Sequence, residues 1–408
     1  MDPSIPSAAA PADRILTANF VKLFVAVHFS MNDMSLYYLL PYYLERRGVP
    51  PGIYGLAAGT AGVSTVVSLL LFGRYADRWS RKTTILLYTV AALAGDLIAL
   101  LALHAPIGWY FAARALHGVF LGLGFPLVFG WAVELCPPRQ RFVALSWLGI
   151  AGIVSNTLGP FLSELILHWS GNPRDPDAFR GVFALGLVFT ALASVLYATV
   201  EDRRVPPAAG RGGLRTLLLR REAALVLLVT LVFGGMFGSL MSFGKNYTEA
   251  RGLTFVSLLM SMYTAGAIVS RVFIRQIAAR LPYVQLTAAG LLGASASFGL
   301  LGFADGYVLQ AVSGLIYGFS HGVLYPTLYV RFIDFGGPAQ IGRSATTFQG
   351  AFSVGIGALP VAGGFLIAGT GFPAYFWALA ALGLIAVWIN LRSDPARPVR
   401  EPRGRDSG

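Results

Sequence analysis

In a chain whose apolar runs recur along nearly its whole length, few residues are able to do chemistry. Inside those runs the ionisable groups that stand out are Asp33, Asp96, Arg114 and Glu164, with His28, His117 and His321 as titratable companions. A charge at mid-bilayer depth costs roughly 2.5–3.5 kcal/mol on insertion scales, so each calls for a partner or an aqueous cavity. Asp33 and Arg114 fall at similar depth on separate segments and could pair; motion that separates them would make Asp33 take up a proton. Asp96 reads as a helix-packing acid on a peripheral segment, and Glu164 as a group facing interfacial water. The lone Cys136 allows neither an intramolecular disulfide nor a cysteine metal cluster and reads as packing. Phosphate-loop, zinc-protease and Gly-x-Ser-x-Gly patterns are absent from the sequence, so an enzyme, a cofactor or a metal has no support.

The elements that carry these groups follow from composition. With 55% hydrophobic and 12% charged residues, an ordinary soluble globule is excluded. A helix needs roughly 20 apolar residues to cross the hydrocarbon, and its backbone must satisfy itself there. Twelve such spans are predicted: Ala18–Tyr43, Gly52–Phe72, Thr83–Leu103, Ile107–Val133, Phe142–Trp169, Gly181–Thr199, Ala223–Tyr247, Leu253–Ile274, Pro282–Phe303, Tyr307–Ile333, Ser344–Ile367 and Phe372–Leu391. The stretch from Met1 to Asp13 lacks a basic cluster ahead of an apolar core and does not read as a cleaved signal peptide.

Most Lys and Arg residues fall on one side of these spans, including Arg203, Arg204, Arg211, Arg215, Arg220 and Arg221. The opposite loops hold Arg46, Arg47, Arg174, Arg180, Lys245 and Arg251. The bias puts both termini in the cytoplasm and accounts for the net charge of +12, with no need of nucleic-acid binding.

The sequence also repeats. Gly118, Gly122, Pro126, Pro138 and Pro160 recur as Gly318, Gly322, Pro326, Pro338 and Pro360, and Tyr43-Leu-Glu45-Arg-Arg47-Gly48 returns as Tyr247-Thr-Glu249-Ala-Arg251-Gly252. The implied organisation is a six-helix bundle over 1–200, a basic cytoplasmic linker over 201–222, a second bundle over 223–391 and a tail over 392–408. Parallel repeats of this kind enclose a central cavity that rocking exposes to each side in turn.

Between spans two and three, Gly73-Arg-Tyr-Ala-Asp77-Arg78-Trp-Ser-Arg81-Lys82 resembles the loop pattern Gly-x-Leu-Ala-Asp-Arg-x-Gly-Arg-Lys of the major facilitator superfamily of transporters. The resemblance implies an all-α membrane protein of twelve helices in two pseudo-symmetric bundles, with spans one, four, seven and ten lining the cavity. It also implies a conformational latch of Gly73, Asp77, Arg78, Arg81 and Lys82, with Glu134 as a partner. Arg114-Ala-Leu-His117-Gly118 and the Asn32-Asp33 pair are similar to arrangements in proton-coupled exporters of that family. Span five, with Gly149, Gly152 and the kinking Gly159-Pro160, resembles the antiporter signature except that Ser155, Ser163 and Glu164 replace glycines.

Helical spacing then nominates His28, Phe29, Asn32, Tyr37, His117, Met236, Met241, Asn246, His321 and Tyr325 for the cavity, with Asp33 and Arg114 as the proton-coupling pair. An aromatic and methionine lining suits an amphipathic organic substrate better than a sugar. The expected function is proton-coupled export of small amphipathic molecules, drugs or metabolites, by a monomer in a bacterial inner membrane among its lipids. The alternatives are an importer or uniporter of organic anions or other nutrients with Arg114 on a carboxylate, an amphiphile flippase, and a non-transporting membrane receptor.

Overall fold

The structure is a computed structural model, and it describes residues 17–72, 80–136, 141–172, 175–202, 220–278, 280–336 and 341–393. Its elements are helices: α1 (Ala18–Leu36), α2 (Leu40–Arg46), α3 (Pro51–Phe72), α4 (Arg81–Leu101), α5 (Gly108–Val119), α6 (Phe125–Leu135), α7 (Arg141–Trp169), α8 (Phe179–Thr199), α9 (Arg221–Ala250), α10 (Ser257–Ala278), α11 (Tyr283–Phe303), α12 (Tyr307–Gly336) and α13 (Ile341–Leu391). Nine stretches among the described residues are long and apolar enough to cross a membrane when taken singly. The predicted twelve crossings are completed by α1 running on into α2, by α12, and by the doubling of α13. That helix turns back at Gly371, whose φ of 81° suits glycine, ahead of Pro373.

Local chemistry sets the ends and the irregular turns. Thr17 caps α1 by accepting from the Phe20 amide at 3.2 Å, and Ser80 caps α4 by accepting from Thr83 at 3.2 Å. The first crossing tightens into a 3-10 turn at Tyr37–Leu39, and the fourth loosens into a π turn at Phe120–Gly124. Buried polar side chains precede both irregular turns, Asp33 the first and His117 the second.

The repeat is structural. Tyr43 donates to the Leu103 carbonyl while Arg47 donates to Ala105 at 2.9 Å. In the second half Tyr247 donates to Leu301 and Ala304, and Arg251 to Gly302 at 3.0 Å. In the first half α1 packs on α7 and α8, while α4 packs on α5 and α8; in the second, α9 packs on α13, and α12 on α10 and α11. The halves meet where α3 lies along α13 and α7 along α10. Along the first seam Gly55, Gly59 and Gly62 face Gly357 and Gly364, and a Cβ on Gly62 would stand 2.6 Å from the Gly357 Cα. Small residues of this kind let membrane helices touch backbone to backbone. Below, the end holding residues 17 and 393 is called proximal and the other distal.

Candidate functional site

The first half encloses a polar cluster in its core. Asp33 is fully buried on α1, and neither of its carboxylate oxygens has a hydrogen-bond partner. Asp96 on α4, equally buried, accepts from the Tyr37 hydroxyl at 2.8 Å and faces His117 Nε2 on α5 at 2.9 Å. Donor atoms of Asp33, Asp96 and His117 lie within 4.8 Å of one another, a set also able to hold a small cation. Gly186 on α8 makes the room: a Cβ there would stand 2.9 Å from Asp33 Oδ1 and 3.5 Å from Asp96 Oδ1. One turn further on, the buried Thr190 hydroxyl is unpartnered as well.

The structure decides the pairing that depth alone had left open. Asp33 and Arg114 make no direct pair. Arg114 Nη1 lies 3.5 Å from His117 Nδ1 and its guanidinium carbon 5.5 Å from the Tyr37 ring centre, so Tyr37 and His117 occupy its contact shell. Asp96, read from the sequence as a helix-packing acid, does join helices, but in the core rather than at the periphery: it bonds Tyr37 of the first crossing and His117 of α5. Sequence reasoning gave it only a packing role because the third crossing was assigned to the periphery.

Around this core, Asn32 donates to the His28 carbonyl at 2.8 Å and to Ser155 Oγ at 3.0 Å, and Ser155 Oγ lies 3.3 Å from His28 Nδ1. The serine that departs from the antiporter signature thus ties α7 to α1. Gly159 packs against Ser35 just before Pro160, which stands within α7. Phe29 is half-buried, its ring centre 5.5 Å from that of Phe189.

The second half holds rings instead. His321 on α12 has the ring centres of Phe233 and Phe237 at 5.0 Å, Tyr263 at 5.6 Å, Tyr325 at 6.2 Å and Phe352 at 6.4 Å. Its Nδ1 lies 3.2 Å from the Tyr263 hydroxyl, and Tyr325 donates to Gln349 Oε1 at 2.9 Å. Met236 and Met241 are buried in the core.

At the distal end the halves are clasped by charges. Asn246 donates to Glu45 at 2.8 Å, and Arg46 reaches Glu249 at 3.4 Å. Lys245 lies 3.0 Å from Glu164 and 3.2 Å from Glu249. Glu164 also accepts from the amides of Val256 at 2.7 Å and Ser257 at 3.0 Å, the start of α10, where a carboxylate complements the helix dipole. Glu164 is 5% exposed, so the expectation that it faces interfacial water is corrected as well.

Of the proximal latch, Gly73, Asp77 and Arg78 lie outside the described residues, as does the side chain of Glu134. Lys82 donates to the Val200 carbonyl at 3.2 Å, and Arg81 opens α4.

Comparison with known proteins decides the family. The Major Facilitator Superfamily family model matches residues 23–349. The chain belongs to that superfamily, and with it to transporters rather than enzymes. Among curated proteins it is similar to the "Transcription regulatory protein OpdE" of Pseudomonas aeruginosa, 26% identical over 360 residues that cover 84% of this chain and 85% of the relative. Among solved structures it resembles a variant of the nucleoside transporter NupG, with a TM-score of 0.76 and 14% identity over 92% of this chain and 99% of that one. It also resembles a bacterial homolog of the human lysosomal transporter Spinster in an inward-facing and unoccupied conformation. There the TM-score is 0.73, with 15% identity over 94% of this chain and 98% of the other.

Proposed function

We propose that the protein is a proton-coupled exporter of small amphipathic organic molecules, working by alternating access as a monomer in a bacterial inner membrane with both termini cytoplasmic. The observation that carries this reading is the buried cluster of two carboxylates, Asp33 and Asp96, with His117 between Asp96 and the guanidinium of Arg114. Two carboxylates and one guanidinium leave one formal negative charge among buried side chains, and a proton is the smallest compensation for it. Opening the cluster to one side and then the other would load and release that proton, while the cavity between the halves carries the substrate the opposite way. The distal clasp would hold the pathway shut on the outer side and part when the halves rock.

The test is substrate-driven proton movement in proteoliposomes, with a panel of lipophilic cations, neutral drugs and organic acids, for the native chain and Asp33→Asn. Coupled proton flux that disappears in the variant is the expected result. Substrate flux that needs no proton gradient and survives the substitution, or that follows sodium instead, contradicts the reading. A second reading, a membrane sensor that transports nothing, draws only on the name of the Pseudomonas relative; solute flux of any kind by the native chain excludes it.

A further inference from the structure

Arg271, in the proximal third of α10, points across the seam between the halves. Its Nη1 occupies a place 2.6 Å from where a Cβ on Gly149 of α7 would stand, so the glycine is what admits it. Among the described residues it has no hydrogen-bond or ion-pair partner, and it stands one turn beyond Ala267, against which Gly322, the neighbour of His321, packs.

The repeat provides a control for what this position requires. Gly118 packs on the Ala61 backbone and Gly318 on that of Tyr263; Gly122 packs on Thr65 and Gly322 on Ala267. Ala61 and Thr65 therefore match Tyr263 and Ala267, and one turn further Leu69 of α3 matches Arg271. Leu69 also crosses to the opposite half, 3.8 Å from where a Cβ on Gly350 would stand. A leucine fills the equivalent seam in one half, so packing alone does not call for an arginine in the other.

We propose that Arg271 is the anion-binding residue of the transport site, and that the substrates are small organic anions with a flat apolar body. Guanidinium takes a carboxylate through two parallel hydrogen bonds. The body would lie on the face formed by His321 and Tyr325, whose planes are within 6° of parallel, with Phe352 edge-on to both. Arg114, held by Tyr37 and His117, is not offered to substrate in the same way. The assignment rests on the transport reading above and narrows its substrate class.

The experiment uses the purified full chain in detergent and follows its unfolding temperature against benzoate, benzamide, indole-3-acetate and indole-3-acetamide. The carboxylates should stabilise saturably and the amides should not. Arg271→Leu, which copies the other half, should unfold like the native chain without probe and need at least ten times more carboxylate for the same shift, while Arg271→Lys keeps part of the response. Equal responses to acid and amide, no response to either acid, or an unaltered response in Arg271→Leu would each overturn the assignment. Asp33→Asn separates the two readings, because a carboxylate response in the native chain and this variant, without proton movement in either, leaves the anion site standing and removes the proton coupling.

Discussion

The two halves share one backbone plan and fill it with opposite chemistry. In the register set by Tyr43 and Tyr247, Asp33 matches Phe237; in the register set by Gly118 and Gly318, His117 matches Tyr317. Gly95 lies against the Ala113 carbonyl as Ser297 donates to that of Ser313, so Asp96 matches Phe298. Where Asp96 faces His117 at 2.9 Å, the ring centres of Phe298 and Tyr317 sit 5.2 Å apart. The distal end repeats the contrast. By the Pro160 and Pro360 register Glu164 matches Gly364; Glu164 takes the start of α10, and Gly364 packs on Pro51 at the start of α3. Gene duplication explains the shared plan, and the divergence at these matched positions separates buried acids in one half from rings or a glycine in the other.

The largest expected effect comes from the clasp. Lys245→Met leaves Glu164 buried without its cation, and breaking a buried pair from one side costs about 3–5 kcal/mol. The distally closed state should lose population on that scale, read as faster labelling of a cysteine placed at Thr254. The reciprocal change in the other half, Gly364→Ala, should instead strain the α3 and α13 seam without altering charge.

Next come the carboxylates. Asp33→Asn or Asp96→Asn should lower coupled flux on the order of 100-fold, about 2.7 kcal/mol. Thermal unfolding of Asp33→Asn should be unchanged or higher, because an unpartnered buried charge has been removed. A large fall in unfolding temperature would mean that the cluster is structural. Gly186→Ala tests the space between the acids: crowding Asp33 should cost roughly 1–3 kcal/mol in stability and slow transport with it.

The smallest effect is a pH dependence at Glu45, beyond the end of the first span. Burial pushes its carboxyl above the ordinary value near 4.5, the Glu249 charge adds to this, and the Asn246 hydrogen bond and the Arg46 charge oppose it. A raised value in the clasped state means that clasping gains as pH falls through that range and loses as pH rises. Glu45→Gln should flatten the dependence in the same labelling assay.

Much of this was legible in the sequence. The crossings could be placed because their apolar runs are interrupted by charged or Gly/Pro turns, and even Gly371 falls in the predicted gap between the last two. The doubled Tyr-x-Glu-x-Arg-Gly motif announced the repeat. The pairings inside the first half were not legible, since depth along a helix can be counted from the sequence and rotation about its axis is set by packing. Asp33 and Arg114 were matched in depth, yet Tyr37 and His117 fill the contacts around the guanidinium. Asp96 was given only a packing role and Arg271 none in the site for the same reason; their significance lies in what faces them from other helices.

The central claim is that proton coupling resides in the acid cluster of the first half and not in its ring-filled counterpart. Substrate-driven proton flux in proteoliposomes should be compared for the native chain, Asp33→Asn, Asp96→Asn and Tyr317→Phe. The account predicts loss of coupled flux in both aspartate variants and its retention in Tyr317→Phe. Coupling that persists without the two carboxylates, or that is lost only on changing Tyr317, would contradict it.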